Sequence, residues 1–455
     1  MIRSRACFLP LLLSALLSSS AIARAVQGEG ATKRQPHVLF LFTDDQRADT
    51  IAALGNPAII TPNLDSLAKS GFAFRNAYCL GSNSGAVCFP SRNMLLSGKA
   101  YFRFQGMAPA AEDTFPAVMK RAGYVTYHHG KAGNTAKAIH KQFDHSRYLN
   151  DGKARTCGEP GQEIVHAAIE FFRGVHEGKP LCSYLACATP HDPRVAAETY
   201  RKMYDPAKIP LPANYMPLHP FDNGWMTGRD EALAPWPRTE EVVRKHLHDY
   251  YSVITGLDHH IGRLLAFLRE TGEFENTLIV FSSDHGLSIG SHGLFGKQSV
   301  YEDSYKPPLV VSGPGIPRGE SRAFVYLQDI FPSVCELVGA EIPAGQDFKS
   351  FAPVIKGEQE KIRDTVFLSY LDVQRALRDD RWKLIRYPQI NKTQLFDLEN
   401  DPHEMHDLAG EAEQQPRIER LMEQLAARQK ELGDRAPLSS AQPRDPTFTP
   451  PSGRK

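Results

Sequence analysis

The stretch HVLFLFTDD, residues 37–45, joins a continuous apolar run to a pair of carboxylates. Residues 38–42 are all apolar, with no polar residue at alternate positions, which is typical of a strand buried on both faces of a sheet. Asp44 and Asp45 follow at the point where such a strand would end. The stretch therefore predicts a central strand with two acidic side chains at its carboxyl end.

The same pattern occurs three more times, separated by stretches with helical periodicity. The further apolar runs also end in polar side chains: GYVTYHHGK (123–131), LCSYLACATPH (181–191) and TLIVFSSDH (277–285). Alternating strands and helices predict an α/β domain. One such cluster alone is consistent with a solvated loop. Because ligands bind outside the carboxyl ends of strands in open α/β sheets, four such ends together predict one shared polar site.

Three carboxylates in this set indicate a hard cation. Asp44, Asp45 and Asp284 would repel one another if the strand ends bring them together, and a Ca²⁺ or Mg²⁺ ion with oxygen ligands would relieve that repulsion. His285 follows the last of them, and imidazole suits softer metals. On chemistry alone His285 is therefore either a ligand or a hydrogen-bonded neighbour that orients a carboxylate. Zinc is the less favoured metal for this set.

Three cationic or imidazole side chains have the opposite character. Lys131 and His191 follow predicted strands, and Lys297 ends the glycine-rich stretch GLSIGSHGLFGK, residues 286–297. Such groups suit an anion with tetrahedral oxygens. A lysine in a glycine-rich loop is more often solvated, so Lys297 is either a solvated loop residue or an anion-binding residue. The site is predicted to have a cation-binding half and an anion-binding half.

The stretch CFPSRNMLLSG, residues 88–98, places a cysteine at the start of a predicted helix. Pro90 suits the first turn and Gly98 suits the end. Free N–H groups at Cys88 would favour an anion, and Arg92 adds further donors. A thiol at this position would be acidic and nucleophilic. A disulfide, a metal thiolate, a thiol nucleophile and a modified residue are all compatible with the position.

The first 25 residues have the pattern of a secretory signal peptide, with Arg3 and Arg5 before an apolar run and small residues over 21–25. We therefore expect export, to the periplasm or outside the cell. No later segment is apolar enough to predict a membrane span. The balance of 53 basic and 52 acidic residues gives no argument for nucleic-acid binding. In an oxidising compartment, a bare thiolate at Cys88 would be oxidised or paired.

The helix that starts at Cys88 matches a family signature. The sulfatase signature is C-x-P-S-R-x-x-x-L-[ST]-G-[KR], and residues 88–99 read CFPSRNMLLSGK. Further family motifs follow in order between about residues 37 and 408: FTDDQR, TPNLDSLAKSGFAF, GYVTYHHGK, TPHDP, LIVFSSDHGLSIGSHGLFGK, LQDIFPSVCELVG and LFDLENDPHEMHDL. The chain therefore resembles the type I, formylglycine-dependent sulfatases of the alkaline-phosphatase-like superfamily.

The resemblance implies a set of roles. A maturation enzyme would convert Cys88 to formylglycine (3-oxoalanine), whose hydrate attacks the sulfur of a sulfate ester. Arg92 would steady the hydrated aldehyde. Lys131 and Lys297 would bind sulfate oxygens, and His191, with Lys297, would help to protonate the leaving group. One calcium ion would have these ligands: Asp44, Asp45, Cys88 in its modified form, Asp284 and His285.

The resemblance also implies an architecture. A catalytic α/β domain over 36–357 would have a large mixed central sheet with helices on both faces. A small C-terminal α+β subdomain with an antiparallel sheet would cover 358–435. The tail, residues 436–455, contains five prolines and is predicted to be disordered.

One position departs from the family pattern. The family often reads G-K-W-H after the second strand, whereas residues 130–133 read GKAG, so Gly133 stands where a histidine that contacts the formylglycine hydroxyl is usual. His128, His129 or His140 are candidates to supply the missing base. Two alternatives to an active sulfatase stay open: a phosphate or phosphonate ester hydrolase of the same superfamily, and an inactive homologue that binds sulfated glycans.

The substrate is expected to be a sulfated carbohydrate, with choline sulfate or another small ester as the alternative. Arg194 and the loop HPFDNGW, residues 219–225, are candidates to contact it. Ordinary loop structure is the alternative interpretation for both, because loops carry many exposed polar residues without a binding role.

Overall fold

The predicted central strand, His37–Thr43, lies inside an eight-stranded sheet. The computed structural model describes residues 34–104, 113–131, 133–174 and 178–451, so the predicted signal peptide, residues 1–25, lies outside the described residues. The strands are β1 (His37–Thr43), β2 (Phe72–Tyr78), β3 (Gly81–Ser82), β4 (Val125–Gly130), β5 (His145–Tyr148), β6 (Leu181–Ala186), β7 (Thr277–Ser283), β8 (Leu309–Ser312), β9 (Gly319–Tyr326), β10 (Val366–Tyr370), β11 (Gln374–Arg378), β12 (Trp382–Tyr387) and β13 (Lys392–Asp397).

Helices connect these strands and follow the last of them. They are α1 (Pro62–Ser70), α2 (Cys88–Ser97), α3 (Phe115–Arg121), α4 (Lys137–His140), α5 (Asp151–Thr156), α6 (Gln162–Arg173), α7 (Glu198–Arg201), α8 (Glu240–Glu270), α9 (Glu302–Tyr305), α10 (Ile330–Val338), α11 (Ala352–Ile355) and α12 (Gln415–Leu432). Within the described ranges, no helix is both long enough and apolar enough to cross a bilayer.

The larger sheet has the strand order β5-β4-β6-β1-β7-β8-β2-β9. The run from β5 to β7 is parallel, and β8 is antiparallel to both of its neighbours. Parallel strands end at one edge of a sheet, so the residues after β1, β4, β6 and β7 meet there. Thr43 pairs with Ser283 in the register, which sets Asp44 beside Asp284. The predicted α/β class with a mixed central sheet is confirmed.

Side chains of β1 alternate between the two faces of the sheet, as a strand requires. Val38, Phe40 and Phe42 pack with residues of α2, α3 and α10, whereas Leu39 and Leu41 pack with residues of α1, α6 and α8. All five side chains are at most 1% exposed. Helices therefore cover both faces of the sheet, and this explains why the apolar run of β1 is continuous rather than alternating.

A second, five-stranded sheet has the order β13-β12-β11-β10-β3. Strands β10 to β13 are antiparallel to one another and come from the predicted C-terminal subdomain. Strand β3 lies just before Cys88 in the sequence and adds to β10 in parallel, with Gly81 opposite Ser369. The small sheet is therefore built from both sides of the predicted boundary at residue 357, and it is tied to the chain that leads into α2.

The described part of the tail, residues 436–451, makes specific contacts, which differs from the disorder expected from its composition. The backbone N–H of Asp222 donates to the carbonyl of Pro446 at 2.7 Å, and Arg386 Nε donates to the carbonyl of Leu438 at 2.7 Å. Proline removes an N–H donor but keeps its carbonyl acceptor. A segment without helix or strand is thus held here by its carbonyl groups and by N–H donors such as those of Ser440 and Arg444.

Asp258, on α8, holds the start of α1. Its carboxylate accepts hydrogen bonds from the backbone N–H of Leu64 at 2.7 Å and of Asn63 at 3.2 Å. These N–H groups belong to the first helical turn, where donors have no partner within the helix. Asp258 is 1% exposed, and burial raises its pKa to about 6.

We expect Asp258→Ala to lower the free energy of unfolding by about 2 kcal/mol near pH 4, because two buried N–H donors lose their acceptor. The folded pKa of about 6 lies above the ordinary aspartate value. Ionisation of Asp258 therefore costs stability as the pH rises from about 4 to about 6, and the difference between wild type and variant should narrow over that range. Urea unfolding of both proteins at about pH 4 and about pH 6 measures this difference in the free energy of unfolding. A difference that widens as the pH rises contradicts this account.

Candidate active site

The ends of β1 and β7 and the start of α2 converge on one buried cluster. One ligand atom from each of five residues lies within 4.8 Å of the others: Asp44, Asp45, Cys88, Asp284 and His285. The carboxylates and the imidazole are at most 1% exposed, and Cys88 is 7% exposed. The structure thus brings together the five residues that the sequence groups as metal ligands.

The chain turns sharply after β1. Asp45 has a φ of 68°, in the left-handed region that aspartate tolerates better than most non-glycine residues. Its N–H donates to Asp284 Oδ1 at 3.1 Å, and its carbonyl accepts from Tyr250 Oη at 2.5 Å. In a continuing strand, Asp44 and Asp45 would point to opposite faces of the sheet. The turn lets both carboxylates face the same site.

Arg92 joins two strand ends through the cluster. It lies one helical turn after Cys88 on α2 and is fully buried. Its Nε donates to Asp284 Oδ2 at 3.0 Å, and its Nη2 donates to Asp44 Oδ2 at 3.0 Å. Burial alone would lower the pKa of Arg92, but Asp284 and Asp44 raise it well above its usual value. The guanidinium is therefore a permanent cation between two carboxylates.

Cys88 is the first residue of α2, and Gly98 ends this helix with a φ of 67°, as the sequence predicts. Cys88 Sγ lies 3.1 Å from His285 Nε2 and 3.3 Å from Lys297 Nζ. Burial, and next to it the charge of Asp44, raise the pKa of the thiol well above its usual value. The acidic thiol expected from the helix N-terminus is thus wrong, because burial and the carboxylates outweigh the charge of Lys297.

Two lysines approach the carboxylates of β1. Lys131 Nζ donates to Asp44 Oδ2 at 2.9 Å, and Lys297 Nζ donates to Asp45 Oδ1 at 2.7 Å. Burial alone would lower the pKa of both lysines, but the carboxylates raise it. Lys297 is 3% exposed, so it is not a solvated loop lysine.

These cations keep the carboxylates ionised. Burial alone would raise the pKa of Asp44, but the charges of Lys131 and Arg92 hold it well below its usual value. Burial acts in the same direction on Asp45, where His191 and Lys297 lower the pKa to about 2. The cluster therefore has fixed negative charges and fixed positive charges at neutral pH, matching the two halves that the sequence predicts.

His191 has a defined orientation. Its Nδ1 lies 2.8 Å from the carbonyl oxygen of Asp192 and 3.1 Å from Asp192 Oδ1. Both atoms only accept, so Nδ1 carries the proton of the neutral ring and Nε2 is the atom that faces the site, 4.0 Å from Asp45 Oδ2. Burial lowers the pKa of His191 in spite of the opposing charge of Asp45.

The contacts of His285 fit a cation at the centre of the cluster. Its Nδ1 lies 2.8 Å from the carbonyl oxygen of Gly286, so in the neutral ring Nε2 presents a lone pair. This Nε2 lies 3.2 Å from Asp45 Oδ1 and 3.4 Å from Asp284 Oδ1. Lone pairs at these distances repel one another, and a cation among them would relieve that repulsion. Carboxylate oxygens with one imidazole make a donor set that suits a hard divalent ion.

Gly133, the departure from the family pattern, lies at the surface with a φ of 78°, and a Cβ there would meet nothing within 4 Å. The next residue, Asn134, does reach the site, because its Nδ2 donates to Asp44 Oδ2 at 3.3 Å. Asn134 is not among the residues that the sequence assigns to the site. Its only signal in the sequence is a polar side chain three positions after Lys131. An asparagine orients a neighbour but cannot act as a base.

The three histidines proposed as substitutes occupy other positions. The ring of His128 packs against Phe143 and Tyr184 with centroids 5.3 and 5.6 Å away. His129 Nδ1 lies 3.3 Å from Tyr127 Oη, and the ring of His140 stacks on Tyr148. Burial lowers the pKa of His128 to about 3 and that of His129 to about 4. None of their described hydrogen bonds reaches the five-residue cluster.

The remaining candidates have mixed outcomes. In the loop 219–225, His219 and Phe221 are buried, whereas Trp225 packs against Tyr370 and approaches Gly85, three residues before Cys88. Arg194 follows the His191 loop and its Nε donates to the carbonyl of Pro190. Each of the six described cysteines is unpaired.

A family model described as "Sulfatase" matches residues 36–340, more than half of the chain. The chain belongs to the sulfatase family. A second model, described as the C-terminal region of N-sulphoglucosamine sulphohydrolase, matches residues 290–431 of this sulfatase. Family membership makes the protein a sulfuric ester hydrolase and agrees with the resemblance seen in its motifs.

Relatives cover nearly the whole sulfatase. The N-acetylglucosamine-6-O-sulfatase of Bacteroides thetaiotaomicron is 25% identical, over 92% of this chain and 91% of that protein. An arylsulfatase of Clostridium perfringens is 26% identical, over 85% of this chain and 93% of that protein.

Solved structures share the fold. A protein in complex with its substrate D-glucosamine-2-N,6-O-disulfate has a TM-score of 0.75 and 25% identity, with 89% of this chain and 99% of that chain covered. A phosphonate monoester hydrolase of Agrobacterium radiobacter has a TM-score of 0.72 at 21% identity, with 87% and 96% covered. The architecture is therefore common to enzymes that cleave different esters.

We expect Arg92→Gln to lower the free energy of unfolding by about 3 to 5 kcal/mol, because the fully buried Asp284 loses its guanidinium partner and the fully buried Asp44 keeps only Lys131 as a close cation. Lys131→Gln is the matched control and should lower the free energy of unfolding by less, since Lys131 pairs with one carboxylate and is 8% exposed. Urea unfolding at neutral pH with a chelator present measures both. An Arg92 effect no larger than the Lys131 effect contradicts the bridging role.

Proposed function

We propose that this sulfatase is exported and hydrolyses a sulfate monoester on a sulfated carbohydrate, using formylglycine made from Cys88 and one calcium ion. The observation that carries the proposal is the position of Cys88 at the start of α2, buried among three carboxylates and 3.3 Å from Lys297 Nζ. A carbohydrate substrate is supported by the relative named as an N-acetylglucosamine-6-O-sulfatase and by the similar structure solved with a disulfated glucosamine.

A modified residue fits position 88 better than a thiol does. The pKa of the Cys88 thiol is well above its usual value, because burial and then Asp44 disfavour the thiolate, and the neutral thiol is a weak nucleophile. Once Cys88 is converted to formylglycine, its hydrated aldehyde supplies the attacking oxygen. Arg92, one turn along α2, holds Asp44 and Asp284 in place around that position.

The calcium ligands in this proposal are Asp44, Asp45, Asp284 and His285, together with residue 88. When bound, the ion supplies positive charge that polarises a sulfate oxygen. The protein's own contribution is to hold ionised carboxylates at one point, through the low pKa values that Lys131, Arg92, His191 and Lys297 impose.

Sulfate binding falls to the two lysines. Lys131 and Lys297 remain charged, since the neighbouring carboxylates outweigh burial and raise the pKa of each ammonium group. An ammonium group has three donors, and the described contacts with Asp44 and Asp45 leave donors for an anion. Charge-assisted hydrogen bonds of this kind are stronger than neutral ones. Both lysines can therefore orient the sulfate group and stabilise the charge that develops on it.

His191 is positioned for the leaving group. Because Nδ1 donates to the carbonyl of Asp192, Nε2 is the nitrogen that exchanges a proton on the side of the site. The protonated ring can donate from Nε2 to the departing alcohol oxygen as the sulfur–oxygen bond breaks. The side of the cluster that His191 faces is therefore where the alcohol portion of the substrate is proposed to lie.

The direct test is to express the protein with a formylglycine-generating enzyme and to analyse the peptide around Cys88 by mass spectrometry. We expect the mass change for replacement of the thiol by an aldehyde, with release of inorganic sulfate from an aryl sulfate and from sulfated sugars. Cys88→Ala should reduce sulfate release by more than about a thousandfold, since the attacking group is lost.

The exposed Cys157 is the matched control, and Cys157→Ala should leave sulfate release unchanged. An unmodified Cys88 in a protein without sulfatase activity would favour the inactive homologue. Faster release of phosphate or phosphonate than of sulfate would favour the ester hydrolases of the same superfamily. Either result contradicts the proposed function.

Removal of calcium provides a separate test. We expect a chelator to abolish sulfate release and to lower the midpoint of thermal unfolding, because the ion stabilises only the folded site. Added Ca²⁺ should restore both, and Asp284→Asn should remove the calcium-dependent shift in midpoint. A midpoint that does not depend on Ca²⁺ in the wild-type protein would show that the cluster does not hold the ion.

A further inference from the structure

Three arginines from separate segments converge on the loop that carries His191. Arg155 lies on α5, Arg194 follows the loop in sequence, and Arg229 precedes α8. The whole chain has a formal net charge of +1. The arginine cluster, defined as these three side chains, is therefore a local concentration of positive charge.

Each arginine contacts a different one of three consecutive residues, Pro190, His191 and Asp192. Arg155 Nη1 lies 3.4 Å from His191 Nδ1. Arg194 Nε donates to the carbonyl of Pro190 at 3.3 Å. Arg229 Nη2 donates to both carboxylate oxygens of Asp192, at 3.0 and 3.2 Å. The cluster thus lies against the Nδ1 edge of His191 and the backbone on either side of it.

The contact between Arg155 and His191 leaves a donor without an acceptor. His191 Nδ1 donates to the carbonyl of Asp192, so it has no lone pair in the ring plane for the guanidinium. Arg155 Nε is also shielded from solvent with no hydrogen-bond partner, and the same holds for Arg194 Nη2. Buried charged donors without acceptors are costly, so an acceptor from outside the chain would stabilise both arginines.

The close ion pairs of this region involve only one of the three arginines. Asp192 and Asp230 both lie within 4.0 Å of Arg229. In the part of the chain that the structure describes, no carboxylate lies within that distance of Arg155 or Arg194. The guanidinium groups of Arg155 and Arg194 therefore have no carboxylate partner at this distance, although that of Arg194 also lies over the Tyr250 ring, 5.4 Å from its centroid. Arg229, which is 65% exposed, lies at the solvent side.

We propose that the arginine cluster is a subsite for a second anionic group, a sulfate or a carboxylate, on the carbohydrate that carries the scissile sulfate, either on the same sugar or on the one linked to it. The inference rests on the proposed function, in which His191 Nε2 faces the leaving alcohol. The sugar then lies beside His191, within reach of the arginines at the opposite edge of that ring. Guanidinium groups bind sulfate and carboxylate through paired N–H donors, a geometry that lysine lacks.

The test compares sugars that differ by one anion. N-acetylglucosamine 6-sulfate is the singly charged substrate, and D-glucosamine-2-N,6-O-disulfate is the doubly charged one. A 6-sulfated N-acetylglucosamine linked to a uronate supplies a carboxylate as the second anion and distinguishes the two sources. The matured wild-type protein and the variants Arg155→Gln and Arg194→Gln are assayed for sulfate release at low and moderate salt.

We expect the wild-type protein to prefer at least one doubly charged sugar. Each variant should reduce the ratio of kcat/KM for the doubly charged over the singly charged sugar by about tenfold, mainly through KM, as loss of a hydrogen bond to a charged group implies. Arg155→Lys should recover part of the ratio, because charge returns without the paired donors. Arg318→Gln is the control, since Arg318 is exposed beside β9 at the far edge of the sheet and should not alter the ratio.

An equal loss on both kinds of sugar would overturn the subsite, because it would show that the arginines only hold the loop of His191. An unchanged ratio in the variants, or a wild-type protein with no preference for a second anion, would overturn it as well. In each of these results, sulfate release by the wild-type protein leaves the proposed function standing.

If the wild-type protein releases no sulfate from any ester, binding of the same sugars is measured by titration calorimetry. Charge-dependent binding that the two variants weaken would support the subsite and overturn the proposed function. Binding that does not depend on the second anion, or no binding at all, would overturn the subsite together with that function.

Discussion

The pairing of the buried Arg92 guanidinium with Asp44 and Asp284 is the constraint on which the site depends. Two parallel strands end side by side, and the register places these carboxylates next to each other in the interior, where like charges repel strongly. Arg92 reaches them because α2 packs against the face of the sheet that carries Phe42, over which its guanidinium lies. The same helix carries Cys88, so one element both neutralises the carboxylates and presents the residue to be modified.

The charges of the site are fixed by mutual contact rather than by solvent. Lys131 and Lys297 stay protonated because their partners are ionised, and the carboxylates stay ionised because the lysines and Arg92 are close. Such a network is preorganised, so little rearrangement is needed when an anion enters. The position of Gly133 is compatible with this arrangement, since Asn134 contributes a hydrogen bond to Asp44 from the same loop. That loop contributes orientation to the site rather than a base.

The fold by itself does not determine which ester is cleaved. A phosphonate monoester hydrolase shares the architecture with a TM-score of 0.72, and the sulfatase relatives named above differ in the substrates that their names state. Specificity must therefore come from side chains around the strand ends, and loops there are free to vary without loss of the sheet. Arg194 and Arg229 lie on such loops and Arg155 lies on α5, all outside the sheet and against the loop that carries His191.

The sequence by itself determined the α/β class, the strands that bear the site, and the helix that begins at Cys88, because these depend on local apolar patterning and on helix end signals. It also identified the three carboxylates of the cluster, since acidic side chains directly follow buried strands, and the family resemblance added Cys88 and His285. The tertiary structure alone decided the raised pKa of the Cys88 thiol, the contact of Asn134 with Asp44, and the hydrogen bonds of the tail up to residue 451. These depend on burial and on partners distant in sequence, and a local pattern contains neither.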